Sequence, residues 1–112
     1  MEGTKEAEIL PEIDYTEDQI LIKKTRQSIF IRTCFEEDLR QREIDTLIIC
    51  GVFTHGCVGR TAIDAYQRDF QVVVAREASF SDKPQQEEVM FEVITEEQEQ
   101  RVLTNREIKE II

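Results

Sequence analysis

Two uninterrupted apolar runs constrain the fold of this chain more than any other feature. Thr46-Leu47-Ile48-Ile49-Cys50-Gly51, entered from Asp45, and Val72-Val73-Val74-Ala75, entered from Gln71, are apolar at successive positions rather than alternate ones. A strand with one wet face alternates, because neighbouring side chains point to opposite sides; a strand apolar on both sides belongs inside a parallel sheet flanked by helices. Between the runs, Val58, Ala62, Ala65 and Tyr66 recur at about the 3.6-residue helical spacing, as a crossover helix requires. The order strand, helix, strand predicts a parallel α/β sheet of the Rossmann-like, three-layer α/β/α kind.

The remaining segments fit the same pattern. Ile20-Leu21-Ile22 reads as a short strand that ends at Lys23-Lys24. Ile31, Cys34, Phe35 and Leu39 are spaced among charges, and Thr33 with Glu36 and Glu37 resembles a capping box, which predicts a helix over about 34–42 with Cys34 on its packed side. After the loop Asp82-Lys83-Pro84, residues 85–100 read as a helix, Arg101-Val102-Leu103-Thr104 as an edge strand and 105–112 as a short closing helix. Residues 1–18, acidic and broken at Pro11, are expected to form an N-terminal arm or loop ahead of a domain spanning 19–112.

Composition narrows the function. With 112 residues the chain holds one core, and its net charge of −10 sets it against nucleic acid and anionic membranes as partners. No apolar run reaches the ~18 residues of a membrane span, and Met-Glu-Gly-Thr-Lys-Glu has no signal-peptide character. Three cysteines without CxxC spacing predict reduced thiols and a cytoplasmic protein. One histidine and scattered thiols predict neither a metal site nor a cofactor.

The chemistry is concentrated in the turn after the first apolar run. Cys57 falls where a helix begins behind a buried strand. Unpaired N–H groups in the first turn of a helix favour negative charge, and ligands in open parallel sheets bind at the carboxyl ends of strands. Cys50, within the strand, and Cys34 are expected to be packing residues.

Gly51-Val52-Phe53-Thr54-His55-Gly56-Cys57-Val58, followed by Thr61-Ala62 and Asp64-Ala65, resembles the isochorismatase-like cysteine hydrolase signature G-V-x-T-x-x-C-V-x-x-T-A-x-D-A. It is closest in form to the motif of nicotinamidases and N-carbamoylsarcosine amidohydrolases. Lys24, Ser28, Phe30 and Thr33 are similar to the family's K-x-x-x-S-x-F-x-x-T, and Val72-Val73-Val74, Ala78 and Val102-Leu103-Thr104-Asn105 to its later strands, so the resemblance spans roughly residues 8–112. It implies that Cys57 is the nucleophile and Lys24 the cation beside it. It also implies a cis peptide at Val52–Phe53, with the backbone N–H groups of Phe53 and Cys57 forming an oxyanion hole. His55 stands where isochorismate hydrolases carry a histidine and is a candidate substrate contact.

The family's catalytic aspartate, at the end of its first strand in a D-x-Q motif, has no match; Asp14 and Asp18 lie in polar sequence. Arg76-Glu77-Ala78 departs from the usual acidic residue before alanine, and Gln86 and Glu87 stand near a usual histidine. The expected sheet is therefore truncated and lacks the family's first, central strand. Its open edge predicts a homo-oligomer, pairing with a complementing N-terminal segment, or a rearranged sheet. Two functions stay open: hydrolysis of a small amide or related carbonyl substrate through Cys57, and a non-catalytic binding or assembly module. Vinyl-ether cleavage is disfavoured, since members with that activity often lack the cysteine.

Overall fold

The computed structural model describes residue 22 and residues 24–112. The arm expected at 1–18, and Ile20 and Leu21 of the expected first strand, lie outside the described residues; Ile22 belongs to no strand. The elements are α1 (Phe35–Gln41), β1 (Thr46–Val52), α2 (Gly59–Gln67), β2 (Gln71–Phe80), α3 (Pro84–Glu92), β3 (Arg101–Leu103) and α4 (Asn105–Ile111). A wide π-helical turn, Thr54–Val58, leads into α2, and a second, Val93–Glu97, extends α3.

The three strands are parallel in the order β1-β2-β3, which bears out the α/β reading. Thr46 pairs with Gln71 and Ile49 with Val74, after which the register shifts, so that Gly51 faces Ser79 and Val52 faces Phe80. Gly51 stands at that irregularity with a φ of 128°, a conformation a side chain would strain. β2 consequently runs five residues past the expected end of its apolar run.

The core lies on one side of the sheet. Leu39 of α1, Ala62 and Ala65 of α2, and Phe91 and Ile94 on α3 and its extension pack with Phe30, Val58, Phe70, Val72 and Val74. Tyr66, expected on the packed face of α2, is 39% exposed at the margin of that stripe. Val73 and Ala75 point the opposite way and are also buried, with α4 against β2 and β3.

Three sequence expectations are corrected. β1 is not buried on both faces: Leu47, Ile49 and Gly51 are half-buried, whereas Thr46, Ile48, Cys50 and Val52 are exposed. β1 is the edge of the described sheet and α4 covers its neighbours, so no element among the described residues shields the second face. Cys50 and Cys34 are accordingly exposed rather than packed, Cys34 lying at the cap of α1 with Sγ 3.6 Å from Asp38 Oδ2. Thr33 is not the N-cap of α1. Its hydroxyl donates to the Ile29 carbonyl and accepts from Phe35 N at 3.3 Å, because Ser28–Thr33 turns tightly before the helix begins. A true capping box forms elsewhere, between Thr104 and Glu107 at the start of α4. No helix among the described residues is long and apolar enough to cross a membrane.

Candidate active site

The turn between β1 and α2 is shaped by its backbone. The Phe53 carbonyl accepts from Gly56 N at 2.9 Å and from Val58 N at 3.2 Å, closing a loop wider than an α-turn. Gly56, at φ −117° and ψ −105°, breaks the helical path, and the Val52–Phe53 peptide is cis. Such π-type turns inside or beside helices occur often at functional sites. Cys57 therefore sits not in α2 itself but two residues ahead of it, half-buried.

Lys24 reaches this turn from 33 residues upstream. Its Nζ lies 3.5 Å from Cys57 Sγ and donates to the carbonyls of Arg26 at 2.9 Å and Gln27 at 3.1 Å. Three acceptors use the three N–H bonds of an ammonium, which fixes where the charge sits. The loop that carries Lys24 is tied to α2 as well: Ile29 N donates to Thr61 Oγ1 at 3.3 Å, so the Lys24-to-Ser28 motif and the Thr61 of the cysteine motif are physically one unit. Cys57 and Lys24 share a groove of about 370 Å³ along the open edge of β1, with Ile49, Gly51, Val52 and Phe35 among its walls.

His55 is turned elsewhere. Its Nδ1 is hydrogen-bonded to Ser81 Oγ, its Nε2 lies 3.9 Å from Asp82 Oδ1, and its ring stacks on Phe53 at 5.8 Å. It lines a hollow with Gln85, Gln86 and Val89, apart from the groove that holds Cys57 and Lys24. The Arg76-Glu77 pair, which departs from the expected motif, makes contacts of its own. Arg76 lies 3.3 Å from Glu88 and 4.4 Å from the Phe91 ring centre, and Glu77 accepts from Asn105 N at 2.6 Å.

Two residues near the site had no role in the sequence reading. Thr54 is fully buried and donates to Glu87 Oε2 at 2.7 Å, joining the cysteine turn to α3. Gln27 packs its amide against Gly56, where an added Cβ would lie 3.5 Å away. Neither could be found from spacing, since both contacts join segments about 30 residues apart; only the position of Thr54 inside the cysteine motif hinted at one. Among the described residues there is no cluster of three or more His, Cys, Asp or Glu able to hold a metal ion.

The sequence pattern of the isochorismatase domain matches residues 1–107. The chain belongs to the isochorismatase family. An uncharacterized isochorismatase family protein, PncA, of Bacillus subtilis is 46% identical over 57 residues, covering 51% of this chain and 31% of that protein. N-carbamoylsarcosine amidase of an Arthrobacter species is 37% identical over 71 residues, covering 63% of this chain and 27% of its own. The crystal structure of nicotinamidase/pyrazinamidase PncA from Bacillus subtilis superimposes with a TM-score of 0.69 at 37% identity, over 70% of this chain and 43% of that one. An isochorismatase family protein from Desulfovibrio vulgaris superimposes with a TM-score of 0.87 at 28% identity, over 97% of this chain and 57% of that one. The chain thus spans less than half the length of these curated relatives.

Proposed function

We propose that Cys57 is the nucleophile of an amidase-type hydrolysis of a small amide or related carbonyl substrate, with Lys24 holding charge beside the sulfur. The observation that carries this reading is the 3.5 Å approach of Lys24 Nζ to Cys57 Sγ. A surface lysine has no reason to cross from a distant loop and settle on a thiol; a nucleophile that turns anionic during attack gives it one. The printed activities of relatives, an N-carbamoylsarcosine amidase and a nicotinamidase, support an amide as substrate class.

In this reaction the sulfur attacks the carbonyl carbon, and the carbonyl oxygen takes up the electron pair between the N–H groups of Phe53 and Cys57. Each such donor contributes roughly 3 kcal/mol to the transition state. Collapse of the intermediate breaks the C–N bond; the thiol proton leaves with the amine, and a thioester remains. Water then adds to the thioester, releasing the acid and restoring the thiol. A base has to carry the proton in both halves. Among the described residues, Lys24 is the only side chain hydrogen-bonded to Cys57 Sγ, so this reading requires a carboxylate supplied from outside them. A groove left open along β1 suits such an addition. Without it, the same surface serves binding or assembly alone.

Competitive alkylation tests the central pair. Iodoacetamide at neutral pH is expected to modify half-buried Cys57 faster than exposed Cys34 and Cys50, and Lys24→Met is expected to abolish that advantage. If Cys57 reacts more slowly than the two exposed thiols in the unaltered chain, the nucleophile assignment fails.

A further inference from the structure

Behind the cysteine turn lies a second concavity, of about 370 Å³, lined by Arg26, Gln27, Ser28, Ile31, Arg60, Ile63 and Asp64. It is set between the loop that carries Lys24 and the outer side of α2. Its electrostatics run against the rest of the molecule. The chain has 24 acidic and 14 basic residues, yet among the described residues neither Arg26 nor Arg60 has a carboxylate within ion-pair distance. Asp64, the one acid in the wall, lies 3.7 Å from Arg68 instead. Arg26 uses one guanidinium nitrogen on the Thr25 carbonyl, at 3.0 Å, and the Ser28 hydroxyl is buried at the base of the loop.

We propose that this pocket binds the carboxylate of a small organic acid. Two guanidinium groups with no carboxylate partner among the described residues offer the N–H donors that a planar carboxylate accepts. Ile31 and Ile63 give the pocket an apolar wall, which an aliphatic body covers and a bare inorganic anion does not. The site is separate from the groove of Cys57, but one loop borders both, through Lys24 and Ile29 on the groove side and Arg26, Gln27 and Ser28 on the other. Arg26 and Gln27, two residues of the pocket lining, hold the Lys24 ammonium through their carbonyls, and the Gln27 side chain packs on Gly56 beside Cys57. The acid would thus bind to the loop that sets the position of the ammonium.

The test is a titration of the full chain with sodium butanoate at constant ionic strength, followed by amide NMR shifts. Saturable shifts confined to residues 24–31 and 60–64 are expected, with inorganic phosphate binding more weakly than butanoate. Arg26→Gln and Arg60→Gln, both at exposed positions, are each expected to weaken butanoate at least about tenfold, the loss of one charge-assisted contact. The proposal is overturned by shifts that do not saturate, by equal or tighter binding of phosphate, or by binding that both variants retain. None of these readouts involves the reactivity of Cys57, so the pocket and the nucleophile stand or fall separately.

Discussion

Thr54 and Glu87 are joined by a 2.7 Å hydrogen bond that crosses from the floor of the cysteine turn to the first turns of α3. Thr54 has no solvent exposure, so its hydroxyl has no water to fall back on. Replacing it with valine keeps the shape but removes the donor to a half-buried carboxylate. Thr54→Val is expected to destabilise the fold by about 1–3 kcal/mol in urea unfolding. Glu87→Gln, which keeps an acceptor, is expected to cost less. Equal losses in the two variants would mean that the bond is not what holds the turn to α3.

Gly59 marks the contact of α2 with α3. A Cβ there would lie 2.5 Å from both Cε and Sδ of Met90. The backbone at Gly59 is ordinary helix, so space, not conformation, demands the glycine. Alanine gains about 1 kcal/mol of helix propensity over glycine, but displacing packed atoms costs typically 1–3 kcal/mol. Gly59→Ala alone is expected to be neutral to destabilising. In a Met90→Ala background the same change should become stabilising, and a double-mutant cycle by chemical denaturation measures the coupling.

The sequence was readable wherever a local rule decides the outcome. β2 is buried at Val72 through Ala75 because four consecutive apolar residues suit a central strand, and β2 is central. The cysteine turn and its lysine were legible only through the family motif; nothing in spacing alone predicts a contact across 33 residues. β1 carries the same kind of apolar run as β2 but lies at the edge of the described sheet, so half of it faces outward. The run records what the strand is suited to, not what covers it. Thr33 misled because a capping box needs a chain that enters the helix extended, and the chain arrives there through a tight turn. The same pattern at Thr104 and Glu107 does close into a box, because Thr104 enters α4 in an extended conformation.

The packed core and the uncovered face of β1 therefore predict different responses to mutation. Ile94 has no exposure and lies in the core between α3 and the sheet. Ile94→Ala is expected to cost about 2–5 kcal/mol through lost burial and the cavity left behind. Ile48 in β1 is 44% exposed on the uncovered face, and Ile48→Thr, which preserves β-branching, is expected to change stability by less than about 0.5 kcal/mol. Parallel denaturant titrations of the two variants check the contrast. A large loss at Ile48 would show that in solution another chain or a further segment covers that face.

The cap of α4 gives the fold a local response to acid. Glu107 Oε1 accepts from Thr104 N at 2.9 Å, and Glu107 N donates to Thr104 Oγ1 at 3.3 Å. The Thr104 backbone N–H, followed by its hydroxyl, holds the Glu107 carboxyl below its usual range. A carboxylate depressed in the folded state stabilises it fully above the unfolded value, ordinarily about 4.3, and that contribution is lost as pH falls through the depressed value. The group is fully exposed, so the effect is confined to the helix end and leaves the core intact. The Thr104 and Glu107 amide signals are expected to shift together with one midpoint below about 4.3, and α4 to fray over the same window. Glu107→Gln is expected to remove the transition while keeping much of the helix. Fraying of α4 that follows the same acid profile in Glu107→Gln would assign the response to another carboxylate.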